Sequence, residues 1–225
     1  MSHEVPTPDE IYAARLALQE IITCQVVMKD GATRDRLIGE GVEHHGVHLV
    51  RSAVGFINAN AALEVEREFA ENRFYYMLTR VGDLCELLAH VDDSPVVDVI
   101  LALAGADYEV TDEDEETGQK LTTAIRAAQT CLLAHHFVRR GSAPWGIQQS
   151  LDLDDMIPVV QMLGHLLLEV ADWFDEEHWA DLVKVLLSDV EMILRSQARA
   201  GGRTVSEQVR SYFALVMTTT PAGLQ

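Results

Sequence analysis

Residues 41 to 48, GVEHHGVH, put His44, His45 and His48 within five positions, the densest set of chemistry-bearing side chains in the chain. On a helix turning about 100° per residue, Glu40, His44, His48 and Arg51 share one polar face, opposite Leu49, Val50, Ala53, Phe56 and Ile57. Histidines four apart can hold one divalent ion, as they do in HExxH. Here the run is HHGVH, so the metalloprotease glutamate is missing. A third ligand would have to come from elsewhere: Glu86, His90, His135 and the other carboxylates are candidates, though nothing in the sequence brings them near. Glu40, His44 and His48 are therefore the candidate metal set, able in that case to activate water for hydrolysis. The plainer alternative is a solvated histidine face.

Four further constellations invite chemistry. Gln161, His165, Glu169, Asp172 and Glu176 form a polar stripe whose apolar complement is Met156, Val159, Leu163, Leu167, Val170 and Phe174. Glu169 and Asp172 have the E-x-x-D form with which all-helical nucleotide pyrophosphatases hold magnesium. The nearest upstream acidic pair, Asp152 and Asp155, falls just before the same helix, roughly 20 Å away at about 1.5 Å per residue. Di-iron carboxylate chemistry is set aside because its repeated E-x-x-H is missing. Asp112, Asp114 and Glu116 begin like a calcium loop, but Thr117 and Thr123 stand where glycine and the bidentate glutamate are required. His136 continues the apolar stripe Leu121, Ile125, Ala128 and Leu132 and should face a core, with His135 on its flank. Trp145 stands alone in GSAPWGIQQ, as a plug over the core or an exposed partner anchor. Arg51, Trp145, His165, Glu169 and Asp172 are thus the interaction candidates.

The elements that must position these groups are helices, because no run alternates as a half-buried strand would. Thr7 to Glu10 reads as a capping box with Pro8 at the first helical position, opening a helix over 8–28 that ends at Lys29-Asp30-Gly31, where glycine tolerates the left-handed conformation. A second is expected over 33–58, weakened by Gly39, Gly41 and Gly46 at about 1 kcal/mol each. Asn60 should cap a third to Thr79, with a short one over 83–91. VVDVILALA after Pro95 reads as the buried central helix. Seven acids between 107 and 117 form a loop leading to a Thr111-capped helix that runs to Arg140. Helices starting near Asp154, at Asp175 and at the Thr204–Glu207 capping box complete the chain. The expected fold is all-α: an irregular bundle of eight or nine amphipathic helices around a buried central one. GSAPWGIQQ (141–149) is the expected linker between a 1–140 part and a three-helix 150–225 part, packed as one globular unit.

Charge limits function. The 225 residues carry 36 acids against 17 bases, a formal net of −19, which disfavours direct nucleic-acid binding. Fourteen of the bases are Arg and three Lys, a hint of a GC-rich bacterial or phage genome. Cys24, Cys85 and Cys131 lie far apart without CxxC spacing, which fits a reducing cytoplasm. The start MSHEVPTPDE lacks a signal-peptide pattern, and no apolar run reaches the roughly 18 residues of a membrane span. GxxxxGK[ST], GxGxxG and GxSxG are absent. The reading is an acidic cytoplasmic protein that acts by protein–protein interaction, without catalysis or a cofactor, on another protein or a second copy of itself. Its rivals are the metal-dependent hydrolase and a DNA mimic that occupies a nucleic-acid-binding protein.

Overall fold

The computed structural model describes residues 7–62, 70–105, 115–139 and 153–218. Among them the chain is all-α, with nine helices and no strand. The nine are α1 (Pro8–Ile22), α2 (Gly31–His45), α3 (Val47–Ala62), α4 (Ala70–Val91), α5 (Val96–Gly105), α6 (Glu115–Arg139), α7 (Leu153–Asp172), α8 (Trp179–Ala200) and α9 (Val205–Thr218). A π-helical turn, Thr23–Met28, extends α1, and a 3₁₀ turn, Glu176–His178, precedes α8.

The chain divides into two compact units, one of residues 1–60 and 175–225, the other of residues 61–174. This differs from the expected division, which followed chain order: α7 belongs with α4 to α6, while α8 and α9 return to the N-terminal helices. The expected linker 141–149, with Trp145, lies outside the described residues, as do Thr111 and Asp112 to Asp114.

In the first unit, α1 packs on α2 and α8, and α8 packs on α9. Ala14, Leu18, Ile21 and Ile22 form the buried stripe of α1, and Leu182, Val183, Leu186 and Val190 that of α8. The Thr7–Glu10 box is formed, with Glu10 N donating to Thr7 Oγ1 at 3.3 Å and Thr7 N to Glu10 Oε2 at 2.7 Å. The first helical run ends at Met28, inside the expected bounds, but the residue that closes it is Lys29 and not the glycine. Lys29 takes the left-handed conformation (φ 56°), and Asp30 caps α2 by accepting from Thr33 N at 3.1 Å. The helical run Pro8–Met28 is 21 residues long and holds an 18-residue window of mean hydropathy 1.2, long and apolar enough to cross a membrane by length and composition alone.

Asn60 does not cap a helix. It sits inside α3, donating to Phe56 O at 2.7 Å and accepting from Gln197 Nε2 at 2.6 Å; Gln197 in turn accepts from Gln208 at 3.0 Å. Carrying an amide at 7 % exposure requires such partners, because a buried polar group left unpaired costs about 1–3 kcal/mol. The Thr204–Glu207 box opens α9, Thr204 N donating to Glu207 Oε2 at 2.8 Å.

In the second unit, α4 and α7 pair along their lengths, α6 packs on both, and α5 packs on α4 and α6. Phe74, Met77, Leu78, Val81, Cys85 and Leu88 of α4 and Leu163, Leu166, Leu167 and Val170 of α7 are buried in this core. The α4 helix is continuous where two were expected. The segment expected as the buried central helix, α5, buries Val99, Ile100 and Leu103 but leaves Leu101 46 % exposed; the middle of this unit is the α4–α7 pair.

Candidate functional site

The glycine inside the histidine run decides its geometry. Gly46 has φ 53° and ψ −135°, a conformation nearly closed to residues with a Cβ, and it ends α2 by donating its N–H to Val42 O at 2.8 Å. A Cβ there would stand 3.1 Å from the Trp179 ring. The helical wheel that put Glu40, His44, His48 and Arg51 on one face does not run through this break. Glu40 and His44 end α2, whereas His48 and Arg51 begin α3.

The two histidines consequently bear on different parts of α1. His48 contributes to the field at Glu10, whose carboxyl is held below its usual range first by the bonds from Thr7 and, less, by His48. His44 lines a cleft between α1 and α2 of about 220 Å³, which Glu20 lines from α1. Glu10 and Glu20 are ten residues apart, roughly 15 Å along a helix. Among the described residues no group of three or more His, Cys, Asp or Glu is placed to hold a metal ion.

What the cleft does bring together is two carboxylates and two imidazoles over an apolar floor. Glu20 and Ala17 come from α1; Leu37, Glu40, Gly41, His44 and His45 come from α2. Gly41 lets the helices approach this closely, for a Cβ there would meet Leu49 Cδ2 at 2.9 Å and Ile21 Cδ1 at 3.6 Å. The Glu40 carboxylate accepts from Arg36 Nη1 at 2.7 Å, and its carbonyl lies 2.6 Å from His44 Nδ1. Glu20 is exposed and has no ion pair among the described residues. Upstream on the same face of α1 stand Asp9 and the exposed apolar side chains of Tyr12 and Leu16, 40 % and 36 % exposed. This surface suits an elongated cation. A methylene stem can lie on Leu37 and Ala17 while its charged head meets the carboxylates.

The remaining interaction candidates fall in the second unit. His165 is exposed on α7, and Glu169 and Asp172 are half-buried along the same helix, while Val159, Leu163, Leu167, Val170 and Phe174 of their apolar complement are buried.

A second polar cluster, between α4 and α6, is only half legible in the sequence. His136 does face inward, at 6 % exposure, but its Nδ1 looks at Glu86 Oε1 across 3.5 Å rather than at a backbone carbonyl. Arg139 reaches Asp83 Oδ1 at 2.5 Å, and Arg80 reaches Asp83 Oδ2 at 3.0 Å. Burial, then the Arg139 charge, pushes the His135 imidazole below its ordinary range, against the opposing pull of Asp83 and Glu86. Asp83 and Glu86 sit at i,i+3, a spacing that marks one helix face but not which helix it will meet. In the first unit, Asp189 is buried at 3 % on α8, a carboxylate that the stripe of Val183, Leu186 and Val190 passes over.

Compared with known protein families, curated proteins and solved structures, the chain matches none.

Proposed function

We propose that the protein is an acidic helical interaction module that binds a partner protein through a basic, partly apolar segment, without a catalytic step. The observation that carries this is the α1–α2 cleft, with Glu20 and Glu40 above Leu37 and Ala17, beside exposed Tyr12 and Leu16. An arginine fits its chemistry: the guanidinium can take two carboxylate oxygens in a fork while its stem covers apolar surface. Apolar side chains next to that arginine would lie on Tyr12 and Leu16. The formal charge of −19 draws a basic segment in from a distance and discourages nucleic acid as the ligand. A phosphate-like acidic face is the weaker reading, since Tyr12, Leu16 and Arg36 interrupt the carboxylates of this surface.

The test is an NMR titration of the full chain with a short peptide alternating Arg and Leu, and with its Gln-for-Arg counterpart. Amide shifts should cluster at Ala17, Glu20, Leu37 and Glu40 to His45 for the Arg peptide alone. Glu20→Gln should weaken binding about three- to fivefold, the weight of a roughly 1 kcal/mol exposed charge pair. Shifts spread evenly over the acidic residues, with Glu20→Gln binding as wild type, would overturn the reading.

A further inference from the structure

Two adjacent histidines on α6 turn buried ring nitrogens toward α4, and the charges around them are unequally shared. His135 Nε2 and His136 Nδ1 are both buried without a hydrogen bond. His136 has a carboxylate in reach, Glu86 Oε1 at 3.5 Å. His135 has none to itself: Asp83 is occupied by Arg80 at 3.0 Å and by Arg139 at 2.5 Å. Its ring lies on the α4 backbone where Gly82 has no side chain, since a Cβ there would stand 3.4 Å from His135 Cδ2. The charged and titratable groups that bear on it are Arg139 and His136 from α6 and Asp83 and Glu86 from α4. The other helices packed on α6, α5 and α7, add none among the described residues.

A neutral imidazole fits this position, whereas a charged one has donors on both nitrogens and needs acceptors for both. We propose that His135 makes the α4–α6 packing acid-sensitive: a charged ring finds no acceptor for its buried Nε2–H, and the last turns of α6 part from α4. Burial holds the folded imidazole below its ordinary value of 6.5. A base depressed on folding contributes stability that is full above about pH 6.5 and lost as pH falls below it. Acidification in that range therefore loosens the second unit at one seam, and the loosened seam exposes Leu132 and Ala128 of α6, which are 1 % and 0 % exposed in the closed form.

Hydrogen exchange of the full chain at about pH 7.5 and about pH 5.5, corrected for the intrinsic rate, reads the opening directly. Protection over residues 128–139 should fall several-fold at the lower pH while that of α8 holds. His135→Gln should remove the fall, and His136→Gln should keep it. A fall of equal size in His135→Gln, or an equal loss throughout both units, would overturn the proposal. The wild-type ring titration followed by NMR stands apart from any folding defect in the variants. His135 must titrate below the free-histidine range, and a value within or above that range sinks the idea.

Discussion

Glycine is where single residues decide most in this chain, and three of them in one segment predict outcomes of opposite sign. Gly39 has nothing within 4 Å of the place a Cβ would take and lies mid-helix, so Gly39→Ala should stabilise by about 0.5–1 kcal/mol through backbone entropy. Gly41→Ala would drive a methyl to 2.9 Å from Leu49 Cδ2, a side chain at 0 % exposure, and should cost about 1–3 kcal/mol by overpacking. Gly46→Ala must hold φ 53° against Trp179 and should cost about 1–3 kcal/mol or more. Urea unfolding of the three variants checks the signs, and a destabilised Gly39→Ala, or a Gly41→Ala or Gly46→Ala as stable as wild type, would contradict the local geometry. Helix propensity assigns all three glycines the same penalty, because propensity is blind to what stands beside a backbone. That is also why the histidine run reads as one face in the sequence: the conformation of Gly46 is fixed by its neighbours in space, and with it the separation of His44 from His48.

Elements are legible where their signals are local. Both capping boxes, the α6 stripe from Ile125 through Ala128 and Leu132 to His136, and the Glu191–Arg195 pair, which closes at 2.6 Å, span at most a few turns and form as the spacing requires. Thr204→Ala should therefore fray the start of α9 and cost about 1 kcal/mol, seen as early loss of amide protection there. The same box carries a pH sign. Bonds from Thr204 hold the Glu207 carboxyl below its usual 4.5, so its contribution is full above that value and fades as pH falls through the folded pKa. Glu10, Asp30 and Asp181 are shifted the same way, and the acid limb of the stability curve should be steepest below about pH 4.5. Elements are misread where a distant partner overrides the local signal. Asn60 has the composition of a cap, but Gln197 lies 137 positions away and takes it into α3. Gly82 reads as the gap between two helices, yet α4 runs through it with His135 packed on the bare backbone.

For the whole molecule, charge acts on folding and on binding with opposite signs, and salt separates them. With a net of −19 the compact state repels itself, and exposed ion pairs such as Arg36–Glu40, with side chains 60 % and 49 % exposed, add little back. Raising salt from about 0.01 to 0.15 M shortens the screening length from roughly 30 to 8 Å, enough to weaken repulsion across a unit while leaving packed contacts alone. The Tm should accordingly rise with salt over that range. Association with a basic segment at the α1–α2 cleft should move the other way, its on-rate falling most because steering is the long-range part. Calorimetry and stopped-flow on the same samples at matched salt steps give both slopes. If binding to the Arg–Leu peptide were indifferent to salt while the Tm rose, the apolar residues Tyr12 and Leu16 would be the anchors, and the carboxylates of the cleft would have no part in recognition. If the Tm fell instead, ion pairs rather than self-repulsion would dominate the folded state, and the −19 charge would have to be more evenly matched by local bases than Arg36, Arg80, Arg139 and Arg195 allow.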